Sequence, residues 1–242
     1  MIGLLGWLWW WVLPVRRRLA VQSYRACFPE RDPRELRRTV GEIAAGYLDL
    51  LLGRPAELRD LELLAGGGIV LAGHGGAWDL VLIRASERIP VTIFVREPKN
   101  RLAAWMIRRM RGRGDLELLP PRGSKEAAYR ALERGRVVVF VQDQRYNLGL
   151  PVPFFGRPAL TSAAFAAMAW RTRAPIFGAW PRREDDGRHT VQVSRLDWEI
   201  PEDRDEAVQC LTAQSQRWTE ARIRERPWSW LWLHDRWKIP RP

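Results

Sequence analysis

Only two cysteines, Cys27 and Cys210, stand in 242 residues, far apart and in no CxxC pair. That leaves no readable zinc ribbon or thioredoxin-like site, and two unpaired thiols in a reducing compartment are the plain expectation. Histidine is nearly as scarce. His74, His189 and His234 are the full set, too dispersed to outline a metal centre. There is no GxSxG, which argues against a nucleophile-elbow hydrolase. There is no GxxxxGK[ST], which excludes a standard P-loop, and the glycine-rich stretch 66–76 contains no GxGxxG after its strand, which counts against a dinucleotide fold. Acidic residues are in the minority, 28 against 40 Lys and Arg, for a net charge of +12. Such a surface attracts anionic partners: nucleic acid, anionic lipid or an acidic carrier protein.

What the chain has in abundance is tryptophan, with 14 residues. An apolar ring with one N–H donor suits a membrane–water interface, and together with the basic charge this favours a membrane surface over nucleic acid. The basic residues are spread through the chain and follow no RNP-like or helix-turn-helix pattern. A nucleic-acid-binding protein is therefore the alternative from another class, and nucleic acid is not the expected partner. Met1 to Val15 carries no charged side chain and four Trp, and Arg16, Arg17 and Arg18 follow at once. This run is shorter than the ~20 residues a spanning helix requires, and Pro14 interrupts it. No charged segment precedes it and no AxA site follows, so a signal peptide fits poorly. The expectation is a short hydrophobic anchor helix over residues 1–18 that enters or barely spans the bilayer, with the triple Arg at the cytoplasmic face. A buried N-terminal helix is the alternative.

Residues 19–242 read as one domain. Residues 23–52 are mostly helical in pattern, with Asp32-Pro33 opening a helix. Ile69 to Ala72 is a buried strand that stops at Gly73-His74-Gly75-Gly76, and a helix follows from about Trp78 to Arg88. The alternation repeats. Strands are expected at 91–95, 116–119, 137–141, 176–180 and 189–193, and helices at 101–113, 124–134, 161–173 and 205–226, with Ser124 as an N-cap. The fold class is therefore α/β, a mostly parallel central sheet flanked by helices. In such sheets sites gather beyond the carboxyl ends of strands. Two loops qualify: Gly73 to Asp79, and Gln142 to Asn147.

His74 is the one histidine at a strand end, in a glycine-rich loop, with a carboxylate, Asp79, five residues on. Positions 74 and 79 would not share a face of one continuous helix. With His74 in the loop and Asp79 in the first turn after it, they can meet. Asp79 could then hold one imidazole nitrogen and leave the other to take a proton from a hydroxyl. A turn histidine satisfied by a nearby carbonyl is the bland alternative. His189, beside the polar turn 184–187, is expected to be exposed.

The surroundings of His74, AGHGGAWDL, resemble the HxxxxD/E block of the bacterial lipid A biosynthesis acyltransferases, the lauroyl and myristoyl transferases. Phe94 to Asn100, FVREPKN, is similar to that family's aromatic-x-Arg-x-x-x-Asn block. Val141 to Gln144, VQDQ, is similar to its strand-end aspartate block, Pro151 to Gly156 to its VPFFG-like segment, and Trp232 to Lys238 to its terminal WLHxRxK block. The order is right and the matches span about Phe28 to Lys238. The carboxylate here is Asp79, where Glu is usual in the subgroup. The FPEGTRS-like block of the glycerolipid acyltransferases is missing, which ranks that group second.

The resemblance implies a membrane-associated O-acyltransferase. It would move a fatty acyl chain from acyl carrier protein or acyl-CoA to a hydroxyl of an anionic acceptor, a lipid A precursor or related glycolipid. A lysophospholipid or another glycolipid is the second choice of acceptor. The site would lie on the cytoplasmic side of the inner membrane. His74 would be the base and Asp79 its partner. Arg111 and Arg96 would bind phosphate, Asp143 would be a second polar group at the substrate, and Phe154 and Phe155 would line an acyl groove. His234 would hold the C-terminal segment. No metal or cofactor is implied, since the thioester donor is a co-substrate.

Overall fold

The computed structural model describes residues 2–95 and 114–238. Arg96, Arg111 and the basic helix expected at 101–113 lie outside them. Helix α1 (Ile2–Trp11) is apolar on every side. At 1.5 Å per residue it is about 15 Å long, half the ~30 Å hydrocarbon thickness of a bilayer. No helix among the described residues is long and apolar enough to cross a membrane. α1 lies instead along helix α3 (Leu36–Leu51). A Cβ at Gly6 would run into the Arg37 carbonyl, so glycine is what permits the close approach. Trp9 is buried with Tyr24, Phe28 and Trp232, which ties α1 to the body of the protein.

Helix α2 (Arg17–Cys27) buries Ala20, Ser23, Tyr24 and Cys27, the spacing of one helical face. Before α3, the Asp32 carboxylate accepts from the Arg34 N–H at 2.8 Å, capping a single 3-10 turn, Pro33–Glu35, that leads into the helix.

The central sheet runs in the order β1 (Ala56–Arg59), β10 (His189–Arg195), β8 (Ile176–Ala179), β2 (Gly68–Ala72), β5 (Val137–Val141), β3 (Val91–Phe94), β4 (Leu116–Leu119), with the short β9 (Arg182–Arg183) beside β10. Neighbours are parallel except where β10 meets β8 and β9. Side chains alternate across it, as the two-residue period of a strand dictates. Ile69, Leu71, Val138 and Phe140 face a core shared with Phe165, Met168 and Leu211. These last three come from the helices α6 (Ala164–Thr172) and α7 (Arg204–Glu225). On the other face Val70, Val137, Val139 and Ile93 pack with Leu82, from helix α4 (Trp78–Ser86). Helix α5 (Lys125–Glu133) covers β5. Ser124 precedes it but makes no side-chain cap bond, contrary to expectation.

The segment read as VPFFG is a separate hairpin, β6 (Leu150–Phe154) and β7 (Arg157–Thr161). Phe155 and Gly156 turn it with φ of 51° and 69°, the pair of positive angles that a two-residue turn of matching twist requires. The left-handed conformation costs a phenylalanine energy. The Phe155 N–H donates to Glu220 Oε1 at 2.5 Å, and its ring is buried against Phe28. Phe154 is fully buried among Trp230, Trp237 and Phe155. These two residues form core structure, and the expected acyl groove does not run over them.

Candidate active site

β2 and β5 lie side by side with Ala72 opposite Val141, and the Gln142 N–H still donates to the Ala72 carbonyl at 3.3 Å. Carrying that register two residues beyond the strands puts His74 next to Asp143. The loop after β2 has glycine where space runs out. A Cβ at Gly73 or Gly75 would strike the Trp180 indole, and Gly76 turns the chain into α4 with φ +51°. The same loop is clamped from the C-terminal segment. Gly75 pairs with Trp230, and the Gly76 N–H donates to the Ser229 carbonyl at 3.2 Å.

Asp143 is 1% exposed and takes three N–H groups. Oδ1 lies 2.8 Å from His74 Nδ1. Oδ2 accepts from the His74 backbone N–H at 2.7 Å and from Trp230 Nε1 at 2.8 Å. Burial, the largest influence, pushes the Asp143 carboxyl up, but the neighbouring imidazole and these hydrogen bonds outweigh it and bring its pKa down to about 2. An ionised Asp143 fixes the proton of neutral His74 on Nδ1. Nε2 then carries the lone pair, facing the Gln144 amide nitrogen at 3.1 Å. Burial works to lower the His74 pKa, yet Asp143 and, after it, the charge of Asp79 raise it above the ordinary histidine value. Trp78 stands edge-on to the ring at 5.0 Å between centroids.

Two clefts meet at this imidazole. The larger, about 610 Å³, is bounded by Phe94, Phe140, Gln144, Arg145, Leu148 and His234 along with His74 and Trp78. The smaller, about 250 Å³, lies between α3 and α4, where Ile43, Tyr47, Leu50 and Asp79 form its wall. A buried His–Asp pair whose second imidazole nitrogen meets only a displaceable side-chain amide, at a junction of two clefts, is an arrangement for general-base catalysis on a bound hydroxyl.

The description "Bacterial lipid A biosynthesis acyltransferase" belongs to the family model that matches residues 56–239, well over half of the chain. The chain belongs to the bacterial lipid A biosynthesis acyltransferase family. It is thus an acyltransferase. No curated protein matches it. Among solved structures it is similar to the 1-acyl-sn-glycerophosphate acyltransferase PlsC from Thermotoga maritima, at 13% identity, covering 91% of this chain and 95% of that one with a TM-score of 0.39.

The sequence reading of the acyltransferase site is redistributed by the structure. His74 is where it was expected. Asp79 sits in the first turn of α4 and borders the smaller cleft, but the carboxylate on Nδ1 is Asp143, not Asp79. The reason is the strand register, which sets residue 143 beside residue 74 more directly than the helix turn can. Asp143 was expected to meet the substrate, but it is 1% exposed and both its oxygens accept hydrogen bonds inside the protein. Arg96 and Arg111 lie outside the described residues. His189 is buried rather than exposed, with Nε2 2.9 Å from Asp49 Oδ2. That pair ties the start of β10 to α3, and neither residue lines either cleft. Gln144, Trp78 and Trp230 were not singled out. Gln144 was within the VQDQ block, but no sequence signal marked Trp230 among so many tryptophans.

Proposed function

We propose that this acyltransferase moves a fatty acyl chain from an acyl thioester, carried by acyl carrier protein or coenzyme A, to a hydroxyl of a phosphorylated lipid A precursor or related glycolipid. The observation that carries the reading is the His74 imidazole, its Nδ1 on Asp143 and its Nε2 on the Gln144 amide where two clefts meet. The acceptor hydroxyl displaces Gln144 from Nε2, gives its proton to His74, and its oxygen attacks the thioester carbonyl. Asp143 holds the imidazolium that results, and the Asp79 charge stabilises it from the smaller cleft. Collapse of the tetrahedral intermediate breaks the C–S bond, and His74 returns the proton to the departing thiolate. Arg96 and Arg111 remain the candidates for the acceptor phosphates, a role suited to guanidinium groups.

The work takes place at the cytoplasmic face of the inner membrane in this reading. Support comes from exposed apolar side chains: Leu4, Trp7 and Trp11 on α1, Val12 and Leu13 just after it, and Leu51 and Leu52 at the end of α3. Beside them stand Arg16, Arg17 and Arg18. Apolar rings with adjacent cations favour an anionic bilayer surface, entered in its plane by a helix too short to cross it.

The test is acyl transfer from labelled acyl carrier protein to a Kdo-bearing lipid A precursor, wild type against His74→Ala. Transfer that collapses in the variant supports the reaction and its base. Transfer by wild type to a lysophospholipid alone would keep the chemistry and discard the acceptor. Undiminished transfer by His74→Ala would sink the reading.

A further inference from the structure

The tetrahedral oxyanion formed in this reaction needs a hydrogen-bond donor, and the His74–Asp143 pair does not supply one. The larger cleft contains a second histidine, His234, half-buried in its wall. The loop after β5 holds both imidazoles with three consecutive residues. Asp143 binds His74 Nδ1, Gln144 meets His74 Nε2, and the Arg145 backbone N–H donates to His234 Nε2 at 3.0 Å.

That last bond decides the tautomer. A backbone amide can only donate, so His234 Nε2 must present a lone pair. The proton of neutral His234 is therefore on Nδ1. Nδ1 has no hydrogen-bond partner among the described residues, and it is not one of the sealed, unpartnered buried atoms. The ring is held by the Arg145 bond, and its main chain is held as well: the His234 N–H donates to the Leu231 carbonyl at 3.2 Å, and its carbonyl accepts from the Arg236 N–H at 3.1 Å.

We propose that His234 is a catalytic residue whose Nδ1–H points into the larger cleft and donates a hydrogen bond to the carbonyl oxygen of the acyl thioester as that oxygen becomes an oxyanion. The inference rests on the acyl-transfer reading of the site. No proton moves through His234. The acceptor proton goes to His74, the C=O π pair becomes the oxyanion lone pair held by Nδ1–H, and on collapse the C–S bond breaks and the thiolate takes the proton back from His74.

A donor in this role must stay neutral, because a second N–H on Nε2 would face the Arg145 N–H. The surroundings agree. Burial foremost, then the charges of Arg236, His74 and Arg145, lower the His234 pKa against the opposing pull of Asp143. A neutral imidazole that polarises a carbonyl has precedent in enzyme chemistry, and a fixed donor at a developing oxyanion accounts for about 10²–10³ in rate.

Two amide substitutions separate this role from simple support of the loop. In His234→Gln the side-chain oxygen reaches the Nε2 position and accepts from Arg145, but the Nδ1 donor is gone. In His234→Asn the amide nitrogen falls near Nδ1, but the acceptor for Arg145 is gone. The proposal expects His234→Gln to melt like wild type while kcat falls about 10²–10³-fold with KM little changed. It expects His234→Asn to be less stable yet to keep kcat within about tenfold. The reverse order, an active Gln variant and an inactive Asn variant, would show that His234 only supports the loop and overturn the proposal. His74→Ala is run in the same series. Activity surviving there would remove the acyl-transfer reading itself, whereas loss there with an active His234→Gln removes the present inference alone.

Discussion

Replacing Asp143 by asparagine changes one atom and reverses the proton placement on His74. Two N–H groups, the His74 backbone and Trp230 Nε1, converge on Oδ2 at 2.7 and 2.8 Å, whereas one group, His74 Nδ1, meets Oδ1 at 2.8 Å. In the variant the amide oxygen belongs where the two donors are. Turning it the other way would set its NH2 against both. Each such unmet buried donor costs about 1–3 kcal/mol, so two outweigh one. The introduced NH2 then faces His74 Nδ1 and donates to it. Nδ1 becomes the acceptor, the imidazole proton moves to Nε2, and the nitrogen that should receive the acceptor's proton already has one. An equivalent change in serine proteases lowers kcat about 10⁴-fold through the same tautomer error, and a loss of about 10³–10⁴ is expected here. The assay is single-turnover acyl transfer, with nitrogen chemical shifts of His74 to read the tautomer and circular dichroism to confirm folding. A well-folded Asp143→Asn variant that keeps more than about a tenth of wild-type kcat would refute the assignment of Asp143 as the group that sets the base.

Three further outcomes follow from the same geometry. Because the His74 pKa stands above the usual 6.5, the base is mostly protonated at and below that pH. kcat/KM should therefore climb as pH rises and level off only past a midpoint above 6.5; a midpoint below it would contradict the coupling to Asp143. Asp143, lowered from 3.8 to about 2, contributes stability that is present above pH 3.8 and lost as pH falls through about 2. Trp230→Phe removes one of its donors, so acid unfolding followed by circular dichroism should begin at higher pH, with about 2 kcal/mol less stability at neutral pH. Gly73→Ala drives a methyl group into the Trp180 ring; about 1–3 kcal/mol of stability should go, seen as a lower Tm together with lost transfer, while Gly66→Ala, where a Cβ has open space, should leave activity unchanged.

The parts of the fold legible in the sequence were those with a strong period. β2 and β5 announce themselves as short β-branched runs, and α4, α5 and α7 begin and end within a few residues of the expected positions. The hairpin of β6 and β7 was not legible. Its strands contain Pro151, Pro153 and Pro158, which count against a strand, and its turn uses Phe155 where glycine would be the signal. The hairpin is tolerated because, among the described residues, β6 and β7 pair only with each other, leaving edges for proline. α1 was legible as an apolar helix but not as one laid along α3, since the contact depends on Gly6 meeting the Arg37 backbone, two positions that share no local pattern.

For the site, the sequence picked out both loops and left their relation open. Strand order is the missing piece. Once β2 and β5 are known to be neighbours in register, His74 and Asp143 must meet, and spacing along the chain no longer argues for Asp79. The same reasoning explains why His234 looked structural. It lies 89 residues from Arg145 in sequence, and a lone histidine near the end of a chain shows neither its tautomer nor the cleft beside it. One backbone N–H supplies the first and the docking of the C-terminal segment across the β2 loop supplies the second. That segment brings Trp230 to Asp143 and His234 to Arg145, so the base and its proposed oxyanion donor are assembled by one packing event.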